Sequence, residues 1–590
     1  MTSHIARFLT LRSLPVLLAI VAIALVLPSV WTGWQQDDLV QRYTILGNPD
    51  PLGKVISPLD LFHFLDGDST YAHSVMDLGV IPWWTLPTVR LSFWRPLSSL
   101  THWLDILLWR DNSILMHVQS LLWFGALVIV ATFLYRRVQG PTWVAGLAAL
   151  FFALDDAHGL PAGWLANRNA IVAGLFGVLA ILVHDRWRRD NWKPGVVAGP
   201  LLLLLGLLSG ESALAACGYL FSYALFIDGG SRRARVVSMV PYASVAVLWL
   251  VTYGALGYGT SGSGFYVDPL SEPLRFLWAV VWKGPLLLVD QLALPPSSIV
   301  LFVPDQVVTG LWIWAVLLLA LLSGFLYPLL RRDRTARFWF TGMVLSIPLV
   351  CSTMPHSRLL LFAGIGGFGL LSQWIGGILN RDAWIPAGRM WRVAARTMLF
   401  VFLVVHLIFA PVFLPLNATS AAFAQKYIQD PALKVSVGPE FADQDLVILN
   451  HPIVFYGQYF MTARFLAGQS IPRRLRVIAP ALVPLRVTRL DARTLVVEPN
   501  GGFCGLPFDN VFRGRDYPMK EREQVLLTGM TVEILRVTSD GRPAKAAFHF
   551  AVPLEHRSLR WLRWDNGSYA TFQLPAIGEE IEVPAAPPLF

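Results

Sequence analysis

Long apolar runs divided by short polar and basic stretches fill the first 416 positions of this chain, and from Asn417 onward the runs become short and alternating. A helix needs roughly 20 apolar residues to cross the hydrocarbon core of a bilayer, so the first pattern predicts a polytopic α-helical membrane protein. Spans are expected near 13–31, 114–135, 141–155, 169–184, 196–209, 212–228, 237–257, 308–330, 336–354, 359–380 and 396–416, about eleven helices, the shorter ones tilted or shielded by neighbours. The stretch 196–227 is long enough for one helix, but the basic clusters at its two ends would then fall on opposite sides. A helical pair broken at Ser209, Gly210 and Glu211 keeps both on one side.

Two other apolar stretches are read as lying in the interface plane. Residues 94–109 are amphipathic and rich in aromatics, and 274–294 would break the alternation of basic loops if it spanned. In the C-terminal part the runs 445–449, 475–478, 494–497 and 531–535 alternate or are β-branched, bounded by Gly, Pro, Asp and Asn. The expected organisation is a transmembrane domain over 1–416, with a first outer loop at 32–113, and a soluble, mainly β domain over 417–590 with a core of its own.

Composition agrees with the membrane assignment. The chain is 55% hydrophobic and 14% charged, with a mean hydropathy of +0.54, whereas soluble domains carry roughly 25% charge. The net charge of +9 would by itself fit a nucleic-acid partner. The arginines, however, cluster between apolar runs, at Arg136 and Arg137, at 185–189, 232–235, 331–334 and 381–396, as cytoplasmic loops do under the positive-inside rule. No nucleic acid is therefore expected, and the basicity fixes topology: N-terminus inside, C-terminal domain outside. The first apolar run is too long for a signal-peptide core and is read as a retained helix. Cys217, Cys351 and Cys504 have no metal-ligand spacing.

The acidic pair Asp37 and Asp38 directly follows the first apolar run, where a membrane helix meets water. A carboxylate there suits general-base work on a lipid-linked substrate, and it equally suits capping of a helix that begins at Leu39. Asp155 and Asp156 end an apolar run beside His158. They read either as surface carboxylates or as ligands of a divalent cation such as Mg²⁺ or Mn²⁺. No Walker loop, dinucleotide fingerprint, EF-hand or HExxH motif occurs, which argues against direct use of a nucleotide sugar. Glu211, between two apolar half-helices, is costly unless it is paired or reaches water. His184 and His406 read as interfacial or core residues, and Trp561, Trp564 and Tyr569 suit either sugar stacking or a β-domain core.

Four motifs in order resemble GT-C glycosyltransferases, in particular relatives of the protein O-mannosyltransferases that include the transmembrane tetratricopeptide O-mannosyltransferases. Trp94-Arg95-Pro96-Leu97 resembles that group's RPL entry to an interfacial helix. The run from Phe152 through Asp155, Asp156, His158 and Trp164 to Arg168 is similar to its His-containing turn between two helices. Gly210-Glu211-Ser212-Ala213 resembles its KE.A break with glycine in place of lysine, and Pro355-His356-Ser357-Arg358-Leu359 its RYLYLP turn without the tyrosines. The likeness covers about 13–416, and the β-rich tail stands where that group carries repeats.

The resemblance implies inverting transfer of a sugar from a polyprenyl-phosphate carrier to an acceptor hydroxyl of a protein, lipid or glycan on the outer face of the membrane. Asp37 or Asp38 would be the base. Arg95, Arg168 and Arg358 would hold phosphate or snorkel to lipid headgroups, with His158, Glu211 and His356 beside them. Protein mannosyltransferases of this type need no metal by resemblance, whereas other GT-C branches do. With no eukaryotic retention signal in sight, the expected location is a bacterial inner membrane with the active site facing the periplasm. A transporter or flippase for lipid-linked glycans, or an envelope assembly protein, is the alternative, but the first would show paired repeats and mid-bilayer charges.

Overall fold

The computed structural model describes residues 3–50, 52–453 and 456–587. They form two compact units, each drawn from several stretches of the chain. The helical unit comprises Met1–Trp34, Trp94–Leu256 and Pro269–Ala421, and the β-rich unit comprises Gln35–Phe93, Gly257–Asp268 and Ala422–Phe590. Most of the loop expected to belong with the helices thus folds with the C-terminal part, because its aromatic and aliphatic residues share a core there.

In the helical unit each of the eleven expected stretches contains a helix. Among the described residues seven helices are long and apolar enough to cross a membrane, and the pair Trp143–Leu154 and Asp156–Gly163, bent by 42°, makes up to eight. The expected eleven exceeds this because Gly195–Leu207, Ala215–Phe226 and Arg334–Val350 have 13, 12 and 17 residues. At about 1.5 Å per residue they fall short of the ~30 Å hydrocarbon core. The break expected at Ser209 to Glu211 is present, as a 3-10 turn over Glu211–Leu214 between the first two of these helices.

Pro96–Trp109 is an inverted amphipathic helix. Its buried residues are Ser98, Ser99, Thr101, His102 and Asp105, while Trp103, Leu107 and Leu108 are exposed. An apolar outer face and a polar inner face suit a helix solvated by lipid. Pro273–Leu292 likewise exposes Leu274, Leu277, Trp278 and Val281, at helical spacing on one face. Leu361–Asn380 is the most enclosed of the long apolar helices. Its backbone carbonyl at Ile365 accepts from the Tyr135 hydroxyl at 2.9 Å, and its Trp374 donates Nε1 to the Phe325 carbonyl at 2.9 Å.

Among its described residues the β-rich unit holds three sheets. His63–Asp66, Arg90–Ser92 and Gly259–Ser261 form an antiparallel sheet of three strands. Six antiparallel strands order as Glu580–Val583, Leu485–Arg489, Thr494–Pro499, Pro543–Phe550, Met530–Val537 and Gln524–Leu527. The third sheet is mixed, with Leu559–Asp565, Asp445–His451 and Arg474–Pro480 parallel to one another and Ser568–Thr571 antiparallel at the edge. Parallel neighbours need a crossover, and Tyr456–Leu466 supplies it as a helix. All four runs read as strands from their alternation are strands. Trp83 and Trp84 from the loop share a core with Phe503, Phe548 and Trp561.

Candidate active site

The acidic pair opens the helix Asp37–Ile45 of the β-rich unit. Gln36 before it holds φ +47°, a left-handed conformation that costs a residue with a Cβ about 1 kcal/mol or more and is retained only where surrounding contacts impose it. The two carboxylates differ. Asp38 is 4% exposed, and its Oδ2 accepts from the Gln35 backbone N–H at 2.8 Å, closing the turn that starts the helix. Asp37 is half-buried, and its Oδ1 accepts from the Tyr459 hydroxyl at 2.7 Å. Asp38 is thus the more enclosed of the two carboxylates.

The remaining candidates lie in the helical unit. Where Gly195–Leu207 ends, its last carbonyls lack helical partners. Leu97 N–H and Ser98 Oγ donate to Leu208 and Ser209 carbonyls at 2.9 and 2.7 Å, seating the start of Pro96–Trp109 on the break. That contact brings Arg95 to Glu211, with Nε and Nη2 at 2.9 and 2.8 Å from Oε2. The acid between two half-helices is paired, as its position demands, and the pair keeps 19% and 25% side-chain exposure.

Arg168 lies at a junction of helices. It begins the helix Arg168–Asp190 and is fully buried. Nη2 sits 2.6 Å from Asp105 Oδ2 and donates to the Met116 carbonyl at 2.9 Å; Nε donates to Ser120 Oγ at 2.8 Å; Nη1 donates to Gln119 Oε1 at 2.7 Å. Every nitrogen of the guanidinium already faces a protein acceptor, so the side chain braces three helices together. Sequence reasoning missed Asp105, although a single acid on an amphipathic interfacial helix was the available signal.

His158 is fully buried, its ring centroid 4.5 Å from that of Phe152 and 5.5 Å from that of Phe124. An enclosed imidazole of this kind serves packing. Asp155 Oδ1 accepts from the Ala157 N–H at 3.4 Å, capping the turn at the bend, and Asp156 Oδ2 accepts from Asn417 Nδ2 at 3.0 Å. Among the described residues no group of three or more His, Cys, Asp or Glu side chains is arranged to hold a metal ion. Each carboxylate of the Asp155 and Asp156 pair accepts one hydrogen bond at the bend.

Arg358 is the middle residue of the turn Ser357–Leu359. Its Nη1 donates to Asn167 Oδ1 at 3.3 Å, and its guanidinium lies 5.8 Å from the Trp164 ring centre. Its backbone N–H donates to His356 Nδ1 at 3.2 Å. Burial, and then the Arg358 charge, pull the His356 pKa down to about 3, so the imidazole is neutral and accepts at Nδ1. Nearby in sequence, Ser357 Oγ donates to Asp290, which also receives Ser297 N–H and Oγ at 2.8 and 2.6 Å. Asp290 and Tyr459 were not legible as site residues in the sequence.

No protein-family model matches the sequence. No curated protein matches it either. The fold is similar at low level to the Archaeoglobus fulgidus oligosaccharyltransferase tethered with an acceptor peptide containing the NVT sequon, at 12% identity and a TM-score of 0.38 over 79% of this chain and 63% of that one. This chain thus spans less than two thirds of that protein. ArnT from Cupriavidus metallidurans bound to undecaprenyl phosphate is similar at 12% identity and a TM-score of 0.34, over 78% of this chain and 89% of that one. The same protein in its apo state gives 14% identity and a TM-score of 0.33, over 70% and 86%. These are remote likenesses.

Proposed function

We propose that the chain is a GT-C-like membrane glycosyltransferase that moves a sugar from a polyprenyl phosphate to an acceptor hydroxyl, with inversion, on the periplasmic side of a bacterial inner membrane. The acceptor O–H gives its proton to a carboxylate of the pair, Asp37 in preference to Asp38. The freed oxygen bonds to the anomeric carbon from the face opposite the phosphate. The bond from that carbon to the phosphate oxygen breaks, and its electron pair leaves with the phosphate. A general base of this kind contributes about 10²- to 10⁴-fold. The departing phosphate needs positive partners, and a guanidinium fork matches its oxygens.

The observation that carries the reading is the acidic pair held by a strained Gln36 at the first turn of a helix that follows an apolar helix, Leu14–Trp31. The test is transfer from a panel of radiolabelled polyprenyl-phosphate sugars into membrane extracts by the parent, Asp37→Asn and Asp38→Asn at equal expression. Transfer by the parent and its loss in Asp37→Asn, with donor binding unchanged, is expected. Equal transfer by all three removes the pair from catalysis, and a parent without transfer from any donor refutes the enzymatic reading.

A further inference from the structure

Four helix ends of the helical unit meet at one basic surface. The stretches 331–337 and 381–396 carry eight arginines and two aspartates. Arg332 Nη1 donates to the Ala383 carbonyl at 2.6 Å, tying the last turn of Asp305–Arg332 to the connection that follows Leu361–Asn380. Trp384 of that connection lies against Gly377, where a Cβ would collide with its ring, and its centroid is 6.3 Å from that of Trp391. Trp391 in turn lies 5.8 Å from Phe325. Arg331, Arg332, Arg381, Arg389, Arg392 and Arg396 are all exposed around these contacts. Among the described residues none of the six pairs with a carboxylate; Arg332 and Arg392 donate to the Ala383 and Ala387 carbonyls. Asp333 accepts from the Ala336 N–H that it caps, at 2.8 Å. Other basic clusters carry their own acids, Arg137 meeting Asp185 and Asp190, and Arg188 meeting Asp228.

We infer that this surface binds an anionic glycerophospholipid, with the arginines on its phosphate and an exposed apolar helix face along its acyl chains. Helix Arg389–Val404 is the start of a candidate span that runs to Thr419. Arg389, Arg392 and Arg396 share one of its faces at the i, i+3, i+7 spacing. Beside them Met390, Val393 and Phe400 are 87%, 55% and 66% exposed, as suits side chains solvated by lipid. Tryptophan favours the depth of the headgroups, and Trp384 and Trp391 sit among the arginines at that level. A guanidinium fork matches phosphate oxygens with two hydrogen bonds, and a headgroup phosphate relieves the repulsion among like charges that adjacent hydrocarbon strengthens. A free phosphate would meet the charges and leave the apolar face unused. A soluble protein or a nucleic acid would have to bring polar backbone into the acyl region, which is costly. An anionic amphiphile satisfies both halves of the surface.

Native mass spectrometry of the full chain in a neutral detergent, titrated with phosphatidylglycerol and separately with phosphatidylcholine, tests the site without any transfer assay. The parent should hold phosphatidylglycerol the more tightly. Near a membrane surface each basic residue adds about fivefold to the affinity for anionic lipid, so Arg389→Gln with Arg392→Gln should weaken phosphatidylglycerol binding about 30-fold. Phosphatidylcholine binding should stay unchanged. Arg389→Lys with Arg392→Lys keeps the charge and should lose less than the glutamine pair. Arg232→Gln with Arg233→Gln, two exposed arginines at the start of another span, should leave phosphatidylglycerol binding within about twofold of the parent. Equal affinity of the parent for the two lipids overturns the site, with no variant needed. Equal weakening by the two glutamine pairs overturns it as well, because the basic loops would then act through net charge alone. Excess inorganic phosphate should leave the lipid bound; its release would make this a site for a free anion and overturn the lipid.

Discussion

Replacing Arg168 with methionine separates a brace from a phosphate holder. The guanidinium is fully buried 2.6 Å from Asp105, whose side chain is 2% exposed, and it also donates to Ser120, Gln119 and the Met116 carbonyl. Methionine fills much of the same volume but leaves Asp105 as an uncompensated buried carboxylate. Breaking a buried pair from one side costs about 3–5 kcal/mol, roughly two to four orders of magnitude in the folded-to-unfolded ratio. The hydroxyl, amide and carbonyl acceptors lose partners as well, and relaxation of the site offsets part of that loss. The expected result is therefore a large fall in thermal stability, read as the loss of the monodisperse peak after graded heating in detergent. Replacing both partners, Arg168→Met with Asp105→Leu, removes the buried charge and should recover most of the loss. Transfer and donor affinity should follow the amount of folded protein. A folded Arg168→Met chain with parental stability and an abolished affinity for polyprenyl phosphate would refute the brace and return Arg168 to the donor site.

Gly163 sits where a Cβ would drive into the backbone carbonyl of Ala418 on the helix Ala410–Thr419, so Gly163→Ala forces two helices of the helical unit apart. A loss of about 1–3 kcal/mol or more is expected in the same heating assay, and parental stability would deny the close approach. In the β-rich unit, burial raises the Asp509 carboxyl from 3.8 to about 7. The folded state then keeps a proton that the unfolded chain has released, so the parent should lose stability relative to Asp509→Asn as pH rises from about 4 to about 7, with no further change above. Urea midpoints of the two chains across that range check the sign, and a constant difference between them would contradict the burial.

Two candidates have surroundings that the sequence did not foretell, for one reason. Arg168 and the Asp155 and Asp156 pair were singled out as charged residues bordering apolar runs, and a border in sequence does not say whether a side chain turns toward water or into a helix junction. Glu211 was different: an acid between two apolar half-helices had to find a partner, and the partner was an arginine already named, Arg95. The strands at 445–451, 474–480, 494–499 and 530–537 were legible because alternation and β-branching are local. The helix Asp37–Ile45 was legible as a helix opened by acids, while the choice between Asp37 and Asp38 was not.

The sequence by itself determined which stretches are apolar helices, that a β-rich part follows them, and that an acidic pair comes directly after the first helix, because hydrophobic periodicity and run length are properties of neighbouring residues. Only the tertiary structure decided that 35–93 folds with the C-terminal part, that Arg168 is enclosed by Asp105, Gln119 and Ser120, and that Tyr459 reaches Asp37. Those are pairings between residues tens to hundreds of positions apart, set by which buried polar groups find partners when the units close, and a buried donor or charge left unpaired costs more than any local preference supplies.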